Sequence, residues 1–198
     1  MATRNQLNPP PLRKITDFKS KLTGGGARSN LFEVELAFPS QIQVEGLNDV
    51  LEKARFLVKA ANMPASNVTP IEVPFRGRTL KIAGDRTFDS WTVTVINDTD
   101  FAIRSAFEKW MNTINRVSDN TGTTDPAAYQ ADAFVYQLDR DGSVLRSYHF
   151  YDVFPTQVTA IELSYDATGI QDFQVELQVQ WWEAVRGSSA KAGGEDIN

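Results

Sequence analysis

Cysteine is absent from the 198-residue chain, and histidine occurs once, as His149. The first absence excludes a disulfide scaffold, a cysteine nucleophile and thiolate metal sites, and it suits a chain that folds in a reducing cytosol. The second excludes a histidine-rich metal centre and any HExxH motif, leaving only a carboxylate site formally open. His149 itself lies in the alternating run RSYHFYD and reads as a packed or surface residue of a strand, not as a catalytic group. A cationic excess is lacking too. With 25 acidic against 20 basic side chains the net charge is −5, and the basic residues are scattered, so a grip on the phosphates of DNA is not expected. No apolar run approaches the ~20 residues of a bilayer span. The start, MATRNQLNPPPLRK, has no apolar segment of a secretory kind, so the expectation is a soluble chain made in the cytoplasm. Without such a signal, the glycosylation triplets at Asn67 and Asn97 are read as chance.

What is present favours one domain. A chain of this length can hide roughly 70% of its unfolded surface without a metal or disulfide staple. Residues 1–11 are polar, end in Pro9-Pro10-Pro11 and read as a flexible arm; 12–183 read as the domain; 184–198 are small and polar and read as a disordered tail. Leu12, Ile15, Phe18 and Leu22 recur at helical spacing until Gly24-Gly25-Gly26. That triplet has no GKS or GKT and no strand before it, so it is a joint, not a phosphate loop. NLFEVELAF alternates like a half-buried strand, ARFLVKAAN reads as a second, and the polar stretch between them as a projecting loop or hairpin. Pro64, Pro70 and Pro74 demote residues 64–78 to an edge strand or extended loop. RTLKIAG and FDSWTVTVI read as a strand pair. The strongest helical period follows, over 99–117, with Ile103, Ala106, Phe107, Trp110, Met111, Ile114 and Val117 on one stripe and Asn97 or Asp98 as the cap. Strands are expected at YQADAFVYQLD, VLRSYHFYDVF, TAIELSYD and IQDFQVELQVQWWE, with Asp139-Arg140-Asp141-Gly142 as a hairpin turn. The fold class is mainly β (α+β), antiparallel, with one substantial helix.

The stretch AGDRTFDSWTVTVIND raises the question of chemistry. Asp85, Arg86 and Asp89 could be an acid, a cation and a base, but paired carboxylates need an enclosed site that shifts one pKa, and the sequence signals none. The better reading is a joint: Gly84 permits a tight turn, Asp85 and Arg86 pair across it or with a neighbour, and Trp91, Val93 and Val95 face a core. In the last strand Phe173, Val175, Leu177, Val179 and Trp181 form one face, and Asp172, Gln174, Glu176, Gln178 and Gln180 the other, polar and almost free of cations. Trp181 and Trp182 adjoin, so one must point outward; Trp182 is the candidate for an outer contact or a lone exposed aromatic.

The runs NLFEVEL and KAANMPASNVTPIEVPFRGRTLKIAGDRTFDSWTVTVINDTDFAIRSAFEKW, and a closing strand ending in WWE, resemble the tail tube proteins of contractile-tailed bacteriophages. The resemblance covers about 12–183, densest at 54–110, and its most specific element is Gly84, Asp85, Arg86, Thr87 and Phe88 followed by Trp91 and the Asn97-Asp98 helix start. It implies two packed antiparallel sheets, a β-sandwich or barrel with a flanking helix, whose strands join a ring-wide barrel in a hexamer. It also implies rings stacked into a hollow conduit for DNA delivery, located in the virion tail. The alternatives are a ring that initiates or terminates the tube, or the tube of a phage-derived contractile injection system. The implied partners are other copies of the chain, a sheath protein, baseplate and tube-initiator proteins, and a tape-measure protein and genomic DNA held in the lumen without specific binding. No membrane, cofactor or enzymatic role is implied. In such a tube the polar face from Asp172 to Gln180 is either a hydrated lumen lining, indifferent to phosphate, or an ordinary solvated sheet face.

Overall fold

The computed structural model describes residues 13–39, 41–42 and 46–186. The arm over 1–11 lies outside them, as does the tail from 187; residues 184–186, expected in that tail, instead complete the last strand. In chain order the elements are α1 (Ile15–Lys21), β1 (Phe32–Leu36), α2 (Leu47–Leu57), β2 (Val58–Ala61), β3 (Ser66–Phe75), β4 (Arg78–Phe88), β5 (Trp91–Ile96), α3 (Ala102–Ile114), α4 (Pro126–Tyr129), β6 (Ala131–Leu138), β7 (Val144–Val158), β8 (Asp172–Gln178) and β9 (Trp181–Arg186). Every described pairing is antiparallel.

One sheet runs in the order β1-β6-β7-β8-β5-β2, with β9 added against β7. Strand β7 serves both halves. Its first part pairs with β6 and β9, and from Phe154 onward it pairs with β8. The change falls at Asp152, whose φ of 53° lies in the left-handed region, and the bend folds one half over the other. Trp91 of β5 consequently stacks on Phe150 of β7, with centroids 4.6 Å apart and planes 3° from parallel. The ends of the sheet, β1 and β2, approach each other beside α2, so the sheet curls toward a barrel.

The alternation in β1, β5 and β8 is the one expected: Val34, Leu36, Trp91, Val93, Val95, Phe173, Val175 and Leu177 are buried. Helix α3 closes the core with Ile103, Ala106, Phe107 and Trp110. Phe38 packs 5.3 Å from both Phe107 and Trp110, and Trp110 Nε1 donates to Tyr129 O at 2.6 Å. Val117, assigned to the same stripe, lies past the helix end and is exposed. The cap also differs. Phe101 occupies it with φ 55°, and Asp100 Oδ1 accepts from Ala102 N, while Asp98 and Asp100 both reach back to Lys53 of α2 at 3.4 and 2.5 Å.

Three further expectations fail for physical reasons. Residues 54–57, read as strand, finish helix α2, whose core residues Val50 and Ala54 are four apart; the helix crosses what was read as a loop and runs straight into β2. TAIELSYD forms no strand, because β8 already occupies the ladder of β7 and Thr159 N donates to Gln174 O; Leu163 and Tyr165 are exposed. IQDFQVELQVQWWE is two strands, separated by a corner at Val179–Gln180 where Gln180 N donates to Tyr151 O. The Asp139–Gly142 turn is as expected, with Gly142 at φ 81°.

Truncating Phe107 to Ala removes a fully buried ring from the cluster it forms with Phe38 and Trp110, and should destabilise the subunit by about 3 to 5 kcal/mol in urea unfolding. A loss below about 1 kcal/mol would mean the stripe of α3 is not buried. The hydrogen bond from Lys53 holds the Asp100 carboxyl down to about 2 from its ordinary 3.8. That interaction is fully present above the ordinary value and is lost as the pH falls through the lowered one. NMR titration should therefore show Asp100 titrating near pH 2, moving up toward the ordinary carboxylate range in Lys53→Met.

Candidate assembly surface

Strands β3 and β4 form a hairpin that lies off the main sheet. Its tip is the two-residue turn Arg76-Gly77, with φ of 44° and 78°, the left-handed pair whose twist matches a tight hairpin. Pro70 and Pro74 are accommodated because only alternate residues of an edge strand donate to the neighbouring strand. Register places Ile71 opposite Ile82 and Val73 opposite Leu80, with Phe75 on the same face. The opposite face carries Glu72 across from Lys81, paired at 3.3 Å. One side of the hairpin is therefore apolar, yet none of the described residues covers it: Ile71, Val73, Phe75, Leu80 and Ile82 are 40% to 67% exposed. A two-stranded ribbon is at best marginally stable in water unless such a face is packed.

The motif from Gly84 to Phe88 forms the inner half of β4. It is not a turn between strands. Val68 pairs with Arg86 and Pro70 with Ala83, so Gly84 and Asp85 together face Thr69 in a bulge. Glycine is required there by close approach: a Cβ at 84 would collide with the Thr69 carbonyl oxygen and meet Ile71 Cγ1 at 3.0 Å. The expected pairing of Asp85 with Arg86 does not occur; both are exposed, and neither has an ion-pair partner among the described residues. Thr87 pairs with Asn67 in the ladder, and Phe88 sets its ring against Trp182, 6.1 Å between centroids. With Asn67 Nδ2 donating to Asp89 Oδ1 at 3.0 Å, that contact fixes the root of the hairpin. Trp91 is fully buried beyond it. RTLKIAG is thus partnered by β3, while the WTVTVI strand belongs to the main sheet.

The tryptophan pair is reversed from expectation. Trp182 turns inward against Phe88, Tyr148 and Phe150, and its indole N–H is buried without a hydrogen-bond partner among the described residues. Trp181 is the outward ring, 41% exposed and stacked on Tyr151 at 3.7 Å. The corner at Val179–Gln180 inserts a residue and exchanges the faces, which strict alternation could not anticipate. On β8 the polar set stays together: Gln174 lies opposite Thr94 and Glu176 opposite Thr92, where it accepts from Ser90 Oγ at 2.6 Å, while Lys59 pairs with Asp172 at 2.7 Å. Gln178 ends the strand half-buried, and Gln180 is exposed on the corner. No cluster of metal-ligating side chains occurs among the described residues.

Gly84→Ala should strain the bulge by about 1 to 3 kcal/mol. Hydrogen exchange is then expected to accelerate over 66–75 and 78–88 while β5 and β8 stay protected; unchanged exchange in the hairpin would show that the close approach is not constraining.

Residues 27–185 match the family model described as phage tail tube protein. The chain is 35% identical over 163 residues to tail tube protein gp19 of Enterobacteria phage T4, covering 81% of this chain and 93% of that one. It is 26% identical over 156 residues to the tail tube protein of Serratia phage KSP90, covering 77% and 86%. Its fold is similar to a chain in the cryo-EM structure of the anti-feeding prophage baseplate, with a TM-score of 0.61 at 12% identity over 81% of this chain and 96% of that one. A chain of the extended sheath-tube complex of an extracellular contractile injection system gives the same score and identity over 84% and 97%. With its mainly β fold, antiparallel pairing and long family match, the chain belongs to the phage tail tube protein family.

Proposed function

We propose that copies of this chain close into rings of six and stack head to tail into the hollow tube of a contractile phage tail, serving as a passive conduit for DNA. The observation that carries this reading is the uncovered apolar face of the β3–β4 hairpin, which a neighbouring copy would bury. Open strand edges support it. Among the described residues strands β2 and β9 each pair on one side only, and ring closure would give such edges partners. Head-to-tail stacking is a heterologous contact that propagates without closing, so another molecule must set the length.

Within that tube the outward face of β5 and β8 is the proposed lumen lining, with Gln174, Glu176 and Gln178 beside Thr92 and Thr94. Lys59 of neighbouring β2, a cation beside this face, is already paired with Asp172. Phosphate would find no binding well there, so DNA and a tape-measure protein would slide past a hydrated wall. A sheath outside and a baseplate with its initiator at one end complete the proposed set of partners.

The reading is tested at the hairpin. Ile71→Lys with Leu80→Lys charges the apolar face without touching the core, so the circular dichroism of the purified subunit should be unchanged. Electron microscopy should show wild-type tubes and only small species for the variant. Normal tubes from the variant would remove the hairpin face from the assembly interface, and a single ring per virion would identify an initiator or terminator instead.

A further inference from the structure

A short helix and a cleft on this chain each lack a partner among the described residues, and their chemistry is complementary. Helix α1 has seven residues and buries none of them. A helix so short does not persist in water on its own propensity, and needs packing on something. Ile15 and Phe18 lie on one side of it and Leu22 follows at its cap, with exposures of 78%, 63% and 45%. Helical spacing sets Lys14 and Lys21 along one flank of this stripe and Lys19 along the other. None of the three has a carboxylate ion-pair partner among the described residues. Arg13, Lys14, Lys19 and Lys21 against Asp17 alone make the segment strongly cationic in a chain of net charge −5. It leaves the body through Gly24, Gly25 and Gly26, all at positive φ, and it precedes residue 27, where the family match begins.

The cleft, of about 260 Å³, lies between β1 and α2 and is lined by Glu35, Leu36, Asn48, Leu51, Glu52 and Arg55. Leu36 and Leu51 supply apolar surface. Arg55 is taken up by Glu35 and, at 3.8 Å, Glu33, while exposed Glu52 has no partner among the described residues. The cleft therefore pairs apolar side chains with excess negative charge, the complement of a cationic helix with an apolar stripe.

We propose that α1 of one subunit docks in the β1–α2 cleft of a neighbouring copy, Phe18 entering against Leu36 and Leu51 and the flanking lysines pairing with Glu52 and Glu35. The occupant is a second copy because α1 leaves the cleft of its own subunit open. This docking rests on the tube reading and adds to it a contact made by a segment ahead of the matched family region.

The test mixes ¹⁵N-labelled and unlabelled full-length chains, lets them assemble, and joins lysines to touching carboxylates with a zero-length carbodiimide. Mass spectrometry is expected to find isotopically mixed peptides linking Lys19 or Lys21 to Glu52. Phe18→Ser should lower their yield on the order of tenfold, as loss of a buried aromatic anchor implies. Glu52→Lys should abolish the link, and adding Lys19→Glu with Lys21→Glu should restore it with the partners exchanged. Links within one isotope only would mean that the helix folds back on its own cleft; links to other carboxylates, or none, would place α1 elsewhere, and each result overturns the docking. Microscopy of the same samples separates the two readings: wild-type tubes without the Lys–Glu52 link sink the docking alone, whereas absence of rings and tubes sinks both.

Discussion

One strand, β7, has to belong to two half-sheets at once, and the rest of the subunit is arranged around how it does so. The bend at Asp152 puts an aspartate in the left-handed region, a conformation that persists only when its surroundings hold it. Asp132 provides part of that hold: one oxygen accepts from Asp152 N at 3.4 Å and the other lies 2.9 Å from His149 Nε2. His149 is itself packed between Phe134 and Tyr151. The lone histidine thus supports a backbone corner. Beyond the corner the apolar side of β5 meets the first part of β7, where Trp91 stacks on Phe150, and α3 packs against β7.

The parts of this fold that were legible in the sequence are those whose pattern is set by a single buried face. Alternation in FEVEL, WTVTV and FQVEL marks the core strands because water on one side and a core on the other impose a period of two. The stripe of Ile103, Ala106, Phe107 and Trp110 marks α3 for the same reason. Helix α2 was illegible because its stripe is short and runs directly into a strand, so its last turn reads as part of that strand. The break at Val179–Gln180 was hidden because apolar residues continue through it, and only the ladder of β7 decides where one strand ends. At the candidate site, the glycine of GDR was legible as a conformational need, but its cause is the Thr69 carbonyl across a bulge, a long-range contact that local sequence does not reveal. The hairpin's apolar side was masked by its prolines: they lower strand propensity, while the alternation of Ile71, Val73 and Phe75 persists between them.

The subunit divides its hydrophobic surface unusually. One share fills the interior and fixes the fold. Another, on the hairpin and on α1, is left facing water, where it contributes nothing to the isolated chain and favours association. A protein that must first fold and then assemble can separate the two steps in this way, because substitutions on the second set alter assembly with little effect on the first.

The hairpin's attachment also bears on speed. It is held to the body chiefly at its root, by Phe88 on Trp182 and by Asn67 on Asp89. A ten-residue strand reaches roughly 33 Å, so a rotation of about 10° at the root carries the tip about 6 Å. An arm of that length sweeps a wide arc ahead of the compact body and can touch an incoming subunit before the two are aligned. Orientation is the main brake on protein association. In the proposed tube, a lever that makes first contact and then seats would relax that demand and let a growing ring take up its next subunit over a range of approach angles.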